Sequence, residues 1–469
     1  MPWLTGQSLY SNILPYLAAR PANSTSRSER TKYSVIMLVI DSLSQMNLQR
    51  FLPRTRQTLE SQGGVLFKGH HKVGHNSWPN VMALLGGEEG RPWPEDLARS
   101  SYYYVDEEHR PLLLHEFGGH GWTSLLLEDY ALGSSFGRKG KMGFRAPPAH
   151  HYYWGTYLAL ARESGFQNRL VGLGDNYACQ KELLVHTHQL RVLEDLLTSQ
   201  PGPVFAYIHL NEYTHNDLGL AALYDLPLSD LLDRLAEQNA LTDTFFLLLG
   251  DHGFQRGENP FSLTEQGRTE GNMPALVVLP PSSLAVEWPQ MTAALRENSG
   301  RLTSHQDVYA TLREVLDMGT TEQLEPRPMV GQSLLHHLPS RSCKKAGVPP
   351  DYCSCSSGQA RLQIASVIAL ASAVLQDLDV FLAPTHLCSP LHLQEVKEAW
   401  LHHQEQVIQL RLEVVPAGGQ FEVVVTLRQA GERPSSEDVK VTRLDRYSET
   451  ASCLPSSLPH LRPYCVCVS

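Results

Sequence analysis

The chain has 469 residues, 42% of them hydrophobic and 19% charged, a balance that fits a globular protein with a sizeable core. Its 49 acidic and 39 basic side chains give a formal net charge of -10, which argues against a nucleic-acid partner, because phosphate backbones are bound by basic surfaces. The length allows two or three domains, or one large α/β domain with an appendage.

Residues 1–32 are polar and irregular, close on Arg27-Ser28-Glu29-Arg30 and read as a linker; within them Asn23-Ser24-Thr25 is a glycosylation sequon. The apolar run from Val35 to Ile40 has the character of a strand buried on both faces of a parallel sheet, and it ends at Asp41. A helix is predicted over residues 52–62, closed by Gly63-Gly64, and the segment GHHKVGHNSWPN leads into a second over residues 81–85. Further strands are predicted at 123–127, 204–210, 244–249 and 275–279, with helical sequence at 183–197 and 228–237. Strands alternating with helices imply βαβ units, so residues 33–340 are expected to form an α/β domain around a mostly parallel sheet.

From about residue 340 the character changes. Cys343, Cys353, Cys355, Cys388, Cys453, Cys465 and Cys467 crowd residues 341–469, with Cys179 alone upstream. An even total in loop-like sequence, with no pair of CxxC units, points to disulfides formed in an oxidising, extracellular or secretory, compartment. A helix is expected over about 360–378, and 409–415 with 420–426 form a hairpin across Pro416-Ala417-Gly418-Gly419, one face of it solvated. This is a smaller cysteine-rich α+β region. The longest apolar run, 364–375, is too short to span a bilayer, and no basic-then-apolar leader opens the chain, so the export signal is expected outside this sequence.

The chemistry gathers on a few residues. Asp251 and His252 directly follow the strand predicted at 244–249 and its closing Gly250, and Asp41 follows the first strand; in a parallel sheet both carboxylates reach the same edge. Ser77 precedes Trp78-Pro79 at a helix start. Two Asp oxygens, one His nitrogen and a Ser oxygen form a ligand set suited to zinc or manganese, and coordination would turn a weak hydroxyl into a nucleophile.

The segments VIDSLSQMNLQRFLPRT, KVGHNSWPNVMALLGG, LLLEDY, FAYIHLNEYTHND, GDHGFQRGENPF, GRTEGNMPALVVLPP and CKKAGVPPDYCSC, in that order, resemble the animal "domain of unknown function 229" family, within the alkaline phosphatase and sulfatase superfamily. The resemblance implies a three-layer alkaline-phosphatase-like fold and one metal site of Asp41, Ser77, Asp251 and His252, with Ser77 the nucleophile. It also implies that Asn80 hydrogen-bonds the transferring group and that His215 serves the substrate or a second metal. For that second site Asn211 or Glu212 replaces the usual Asp, and His305 is the one further ligand in view. Two positions depart from the pattern: His75 where an acid is usual, and Gln255 where an arginine is expected, with Arg256 next to it.

The resulting expectation is a metal-dependent hydrolase or transferase acting on phosphate esters. The substrate class is a phosphorylated or sulfated small molecule, lipid or glycan. Two alternatives stand beside it. One is a non-catalytic extracellular binding domain that keeps the fold; the other is a sulfatase-like enzyme, although Ser77-Trp78-Pro79-Asn80 is followed by Val81 where a formylglycine motif has arginine. The histidines His70, His71 and His209 have no assigned role and are read as core or surface residues, and His150-His151-Tyr152-Tyr153-Trp154 as packing.

Overall fold

β1 (Ser34–Ile40) runs through the middle of a seven-stranded sheet in the computed structural model, and its side chains alternate between two separate cores. Val35, Met37 and Val39 belong to one, Ile36, Leu38 and Ile40 to the other. That is why the strand reads as a continuous apolar run: both its faces are covered. The structure describes residues 33–87, 104–108, 111–129, 135–137, 143–153, 179–180, 183–215, 217–254, 264–327, 329–354, 359–402, 406–428, 438–445, 450–455, 458 and 461–468. The predicted linker, Trp154, Gln255, Arg256 and Cys355 lie outside these residues.

In chain order the elements that frame the sheet are α1 (Gln45–Phe51), α2 (Pro53–Ser61), β2 (Val65–Leu66), β3 (Gly69–His71), α3 (Ser77–Gly86), α4 (Leu113–Gly119), β4 (Thr123–Glu128), β5 (His151–Tyr152), α5 (Val185–Ser199), β6 (Val204–Leu210), α6 (Asp225–Glu237), β7 (Thr244–Gly250), α7 (Glu265–Asn272), β8 (Leu276–Leu279), β9 (Leu302–Ser304) and α8 (His305–Gly319). The strand order is β2-β8-β7-β1-β6-β4-β5. β7, β1, β6, β4 and β5 run parallel, whereas β8 and β2 at one edge pair antiparallel. Helices α3, α4 and α8 cover one face through Val81, Phe117 and Leu312; α2, α5 and α6 cover the other through Leu59, Leu193 and Leu231. The result is the expected three-layer α/β sandwich.

Some elements differ from the sequence reading. The helix predicted over 52–62 is α2, which starts at Pro53, and a further helix, α1, has no counterpart in that reading; the two are separated at Leu52-Pro53, where proline takes the first turn of α2. The helix predicted to begin at Val81 begins at Ser77. β8 is antiparallel, which a buried apolar run cannot reveal by itself.

The C-terminal region is a five-stranded antiparallel sheet: β10 (Gln359–Arg361), β11 (His392–His402), β12 (Val407–Val415), β13 (Gly419–Thr426) and β14 (Val439–Arg443). The predicted hairpin is β12 and β13. The predicted helix is displaced to α9 (Ile368–Leu382), and residues 359–361 are strand instead. With the turn that follows, Ile368–Thr385 is 18 residues with a mean hydropathy of 1.4, long and apolar enough by composition to cross a membrane, unlike the shorter run read from sequence. Its inner face, Ala371, Val374, Leu375, Leu378 and Leu382, packs on the sheet in a third core. Disulfides join Cys343 to Cys353, Cys388 to Cys465 and Cys453 to Cys467.

Candidate metal centre and nucleophile

Parallel β1, β6 and β7 end at the same edge of the sheet, so Asp41 and Asp251 emerge side by side although 210 positions apart. Gly250 makes the approach possible: a Cβ there would lie 2.1 Å from the carbonyl oxygen of Leu43. Both carboxylates are fully buried. Asp251 Oδ1 accepts from the backbone amides of Ser42 (3.0 Å) and His252 (2.8 Å). Asp251 Oδ2 has no hydrogen-bond partner. Burial raises the Asp251 carboxyl, but the neighbouring imidazoles of His252 and His209, the nearby Ser77 hydroxyl and the Ser42 amide outweigh it and hold the group below the ordinary aspartate range.

The His252 ring is oriented by its own neighbour. Its Nδ1 lies 2.9 Å from the Gly253 carbonyl, which can only accept, so Nδ1 carries the proton and Nε2 presents a lone pair. That lone pair faces Asp251 Oδ2 at 3.5 Å, Asp41 Oδ1 at 3.6 Å and Ser77 Oγ at 3.4 Å. Ligand atoms of Asp41, Asp251 and His252 all lie within 4.8 Å of one another. An orphaned buried carboxylate oxygen beside an imidazole lone pair is a donor set that fits a divalent cation, and the backbone bond on the far ring nitrogen is the usual companion of a metal-ligating histidine.

Ser77 opens α3, with Asn76 as its N-cap. Unlike Asp41, Asp251 and His252 it is only half-buried. Asn80, expected to meet a transferring group, is bonded within its own loop. Its Oδ1 accepts from the amides of Val73 and Gly74, and its Nδ2 donates to the carbonyls of Gly74 and Asn76, each at 2.9 Å. All four bonding positions are therefore spent within the segment, and Asn80 braces the loop that carries Ser77.

His215 is half-buried on the turn after β6, its amide bonded to the Asn211 carbonyl at 3.0 Å. The amides of Asn211 and Glu212 donate to Asp129 Oδ1, at 2.7 and 3.2 Å, and burial pushes the Asp129 carboxyl up to about 6. His305, considered as a second-metal ligand, is occupied elsewhere. Its Nε2 donates to the Asp251 carbonyl at 2.6 Å, so its Nδ1 must accept from His70 Nε2 (3.1 Å), and His70 Nδ1 in turn accepts from Thr303 Oγ1 (3.1 Å). Burial keeps both rings neutral, lowering His305 to about 4 and His70 well below its ordinary value. Among the described residues, the only other group of three potential ligands is Cys453, Cys465 and Cys467, whose sulfurs are in disulfides. His75 is exposed beside Ser77.

Sequence reasoning missed Ser42. Its φ of 63° is left-handed, unusual for a non-glycine residue, and it turns the Ser42 amide onto Asp251 while its hydroxyl donates to Asp41 Oδ1 at 3.1 Å. No sequence signal marks such a residue.

A family model described as "Protein of unknown function (DUF229)" matches residues 6–397. No curated protein matches the chain. Among solved structures, a protein in the alkaline phosphatase superfamily from Vibrio parahaemolyticus is 11% identical, with 87% of this chain and 82% of that one covered at a TM-score of 0.42. The phosphonate monoester hydrolase of Agrobacterium radiobacter is 13% identical, covering 84% and 89% at 0.44. The C-terminal periplasmic domain of EcEptC from Escherichia coli in complex with Zn is 12% identical, covering 64% and 86% at 0.40.

Proposed function

We propose, from the premise that the chain belongs to the DUF229 family, that it is a metal-dependent hydrolase or transferase acting on phosphate esters through Ser77. The observation that carries this reading is the convergence on His252 Nε2 of the Ser77 hydroxyl (3.4 Å) and two fully buried carboxylates (3.5 and 3.6 Å). Asp41, Asp251 and His252, with Ser77 Oγ, would hold the ion. A divalent cation there, zinc or manganese, supplies the charge that favours an ionised hydroxyl and offsets that of a transferring phosphoryl group.

The chain's own residues do the rest. Ser77 attacks phosphorus from the first turn of α3, where the positive end of the helix favours an anion. The phosphorus–leaving-group bond breaks and a phosphoseryl group remains, to be passed to water or to a second alcohol. Asn80 keeps the loop in register, and Ser42 holds the two carboxylates together through its amide and hydroxyl. The substrate class is a phosphorylated small molecule, lipid or glycan. The three disulfides found among the described residues support an extracellular or secretory setting.

The test is a hydrolysis screen with phosphate mono- and diesters on wild type and Ser77→Ala, with metal content measured on both. The variant is expected to lose turnover and keep its metal. Turnover that survives in Ser77→Ala, or that survives full metal removal, overturns the reading.

A further inference from the structure

His209 is fully buried in β6, in the centre of the sheet, where its neighbours on the flanking strands are Val39 and Glu128. An imidazole in such a place costs stability unless its nitrogens are used, so its presence calls for a cause. Its Nδ1 lies 3.3 Å from the Tyr207 hydroxyl and 3.7 Å from Glu128 Oε1, and Glu128 is itself fixed by the Ser135 amide at 2.8 Å. Its Nε2 has no hydrogen-bond partner and reaches over β1 to Asp251 Oδ2, 3.8 Å away, the same carboxylate oxygen that lacks a partner. Two orphaned polar atoms, both fully buried, therefore face each other.

We propose that His209 is a positioning residue for the cation site: held from behind by the Tyr207 hydroxyl, which donates to Nδ1, it turns its Nε2–H toward Asp251 and fixes the rotation of that carboxylate so that Oδ2 is presented toward Asp41 and His252. The proposal rests on the reading of Asp41, Asp251 and His252 as that site. The rest of Asp251 is already immobile, with two amides on Oδ1 and His305 on its main-chain carbonyl. Only Oδ2 is left to be directed, and the groups that face it are His252, the ligand beside it, and His209. Glu128, His209 and Asp251 thus form a row across the sheet, with the ring as the middle member. Residues that orient a metal ligand from behind are worth about 10–100-fold in metal affinity.

The test measures zinc and manganese affinity by competition with a chelating dye on wild type, His209→Leu and His209→Gln, beside the thermal midpoint of each metal-free protein. His209→Leu is expected to bind metal about 10–100-fold more weakly with a metal-free midpoint no lower than wild type, and His209→Gln, which keeps a polar group, to recover part of the loss. Equal affinity in all three proteins overturns the role of His209 and leaves the cation site standing. Equal loss in both variants together with lowered metal-free midpoints means a merely structural residue and also overturns it. If wild type itself binds neither metal, the cation site fails, and the inference with it.

Discussion

Asp41 and Asp251 are both fully buried beside His252, so a bound cation would draw its stabilising effect from both carboxylates. Asp251→Asn is therefore predicted to abolish the stability that metal adds. The amide keeps an oxygen for the Ser42 and His252 backbone amides (3.0 and 2.8 Å), so the local scaffold survives while one buried charge is removed. His252, His209 and Ser42 hold the Asp251 carboxyl below the ordinary aspartate range, so its charge is stabilised by its surroundings and the metal-free variant should melt somewhat below the wild-type midpoint. With metal at a hundredfold excess over its dissociation constant, the wild type gains about 2.7 kcal/mol, and for a domain of this size that raises the midpoint by about 3–4 °C. The variant gains little, and the gap between the two proteins widens. Thermal unfolding followed by circular dichroism, first in chelator and then in zinc or manganese, measures both halves. An equal metal-induced shift in wild type and Asp251→Asn, or no shift in wild type, refutes the assignment of Asp251 as a ligand.

Gly250→Ala places a methyl group against the Leu43 carbonyl oxygen, where the clearance is 2.1 Å and neither backbone can give way; destabilisation of about 3 kcal/mol with loss of metal binding is expected, and a urea-unfolding midpoint equal to wild type would contradict it. His71 is held neutral, because Nδ1 donates to the Gly69 carbonyl and Nε2 accepts from the Ser354 amide; burial lowers it to about 4 from 6.5. The unfolded chain then binds more protons than the folded one between those values, so the stability from His71 is complete above pH 6.5 and is lost as pH falls toward 4, with about 2 kcal/mol gone by pH 5. His186, also lowered to about 4 by burial, adds a loss in the same direction, and a denaturation midpoint that stays flat from pH 7 to pH 5 would refute both assignments.

The C-terminal sheet is joined to the loop that leads to Ser77 by contacts that neither segment announces. The loop closed by Cys343–Cys353 brings Tyr352 under Lys72, with the ammonium 4.6 Å from the ring centre, and the Ser354 amide onto His71. Burial lowers the Lys72 amine to about 7, five positions before Ser77. The cysteine-rich region is thus packed against the segment that carries Ser77.

How much could be read in advance follows from what each feature depends on. β1, β6 and β7 were legible because a strand covered on both faces must be apolar at every position, and that is a local property of the chain. Asp41 and Asp251 were legible because each ends such a strand, and parallel strands bring such ends to one edge. β11 and β14 escaped notice: β11 is half solvated and its register with β12 shifts twice, so its alternation is broken in sequence. The pairing of Asp251 with Ser42, of His209 with Glu128 and of His70 with His305 depends on strand order, register and the face each side chain takes. The sequence by itself determined which segments had to be buried and which carboxylates had to meet at a sheet edge, because burial and side-chain alternation are local. Only the tertiary structure decided that Asn80 is spent on its own loop and that buried histidines stand behind the candidate ligands, because those contacts join positions related only through the packed sheet.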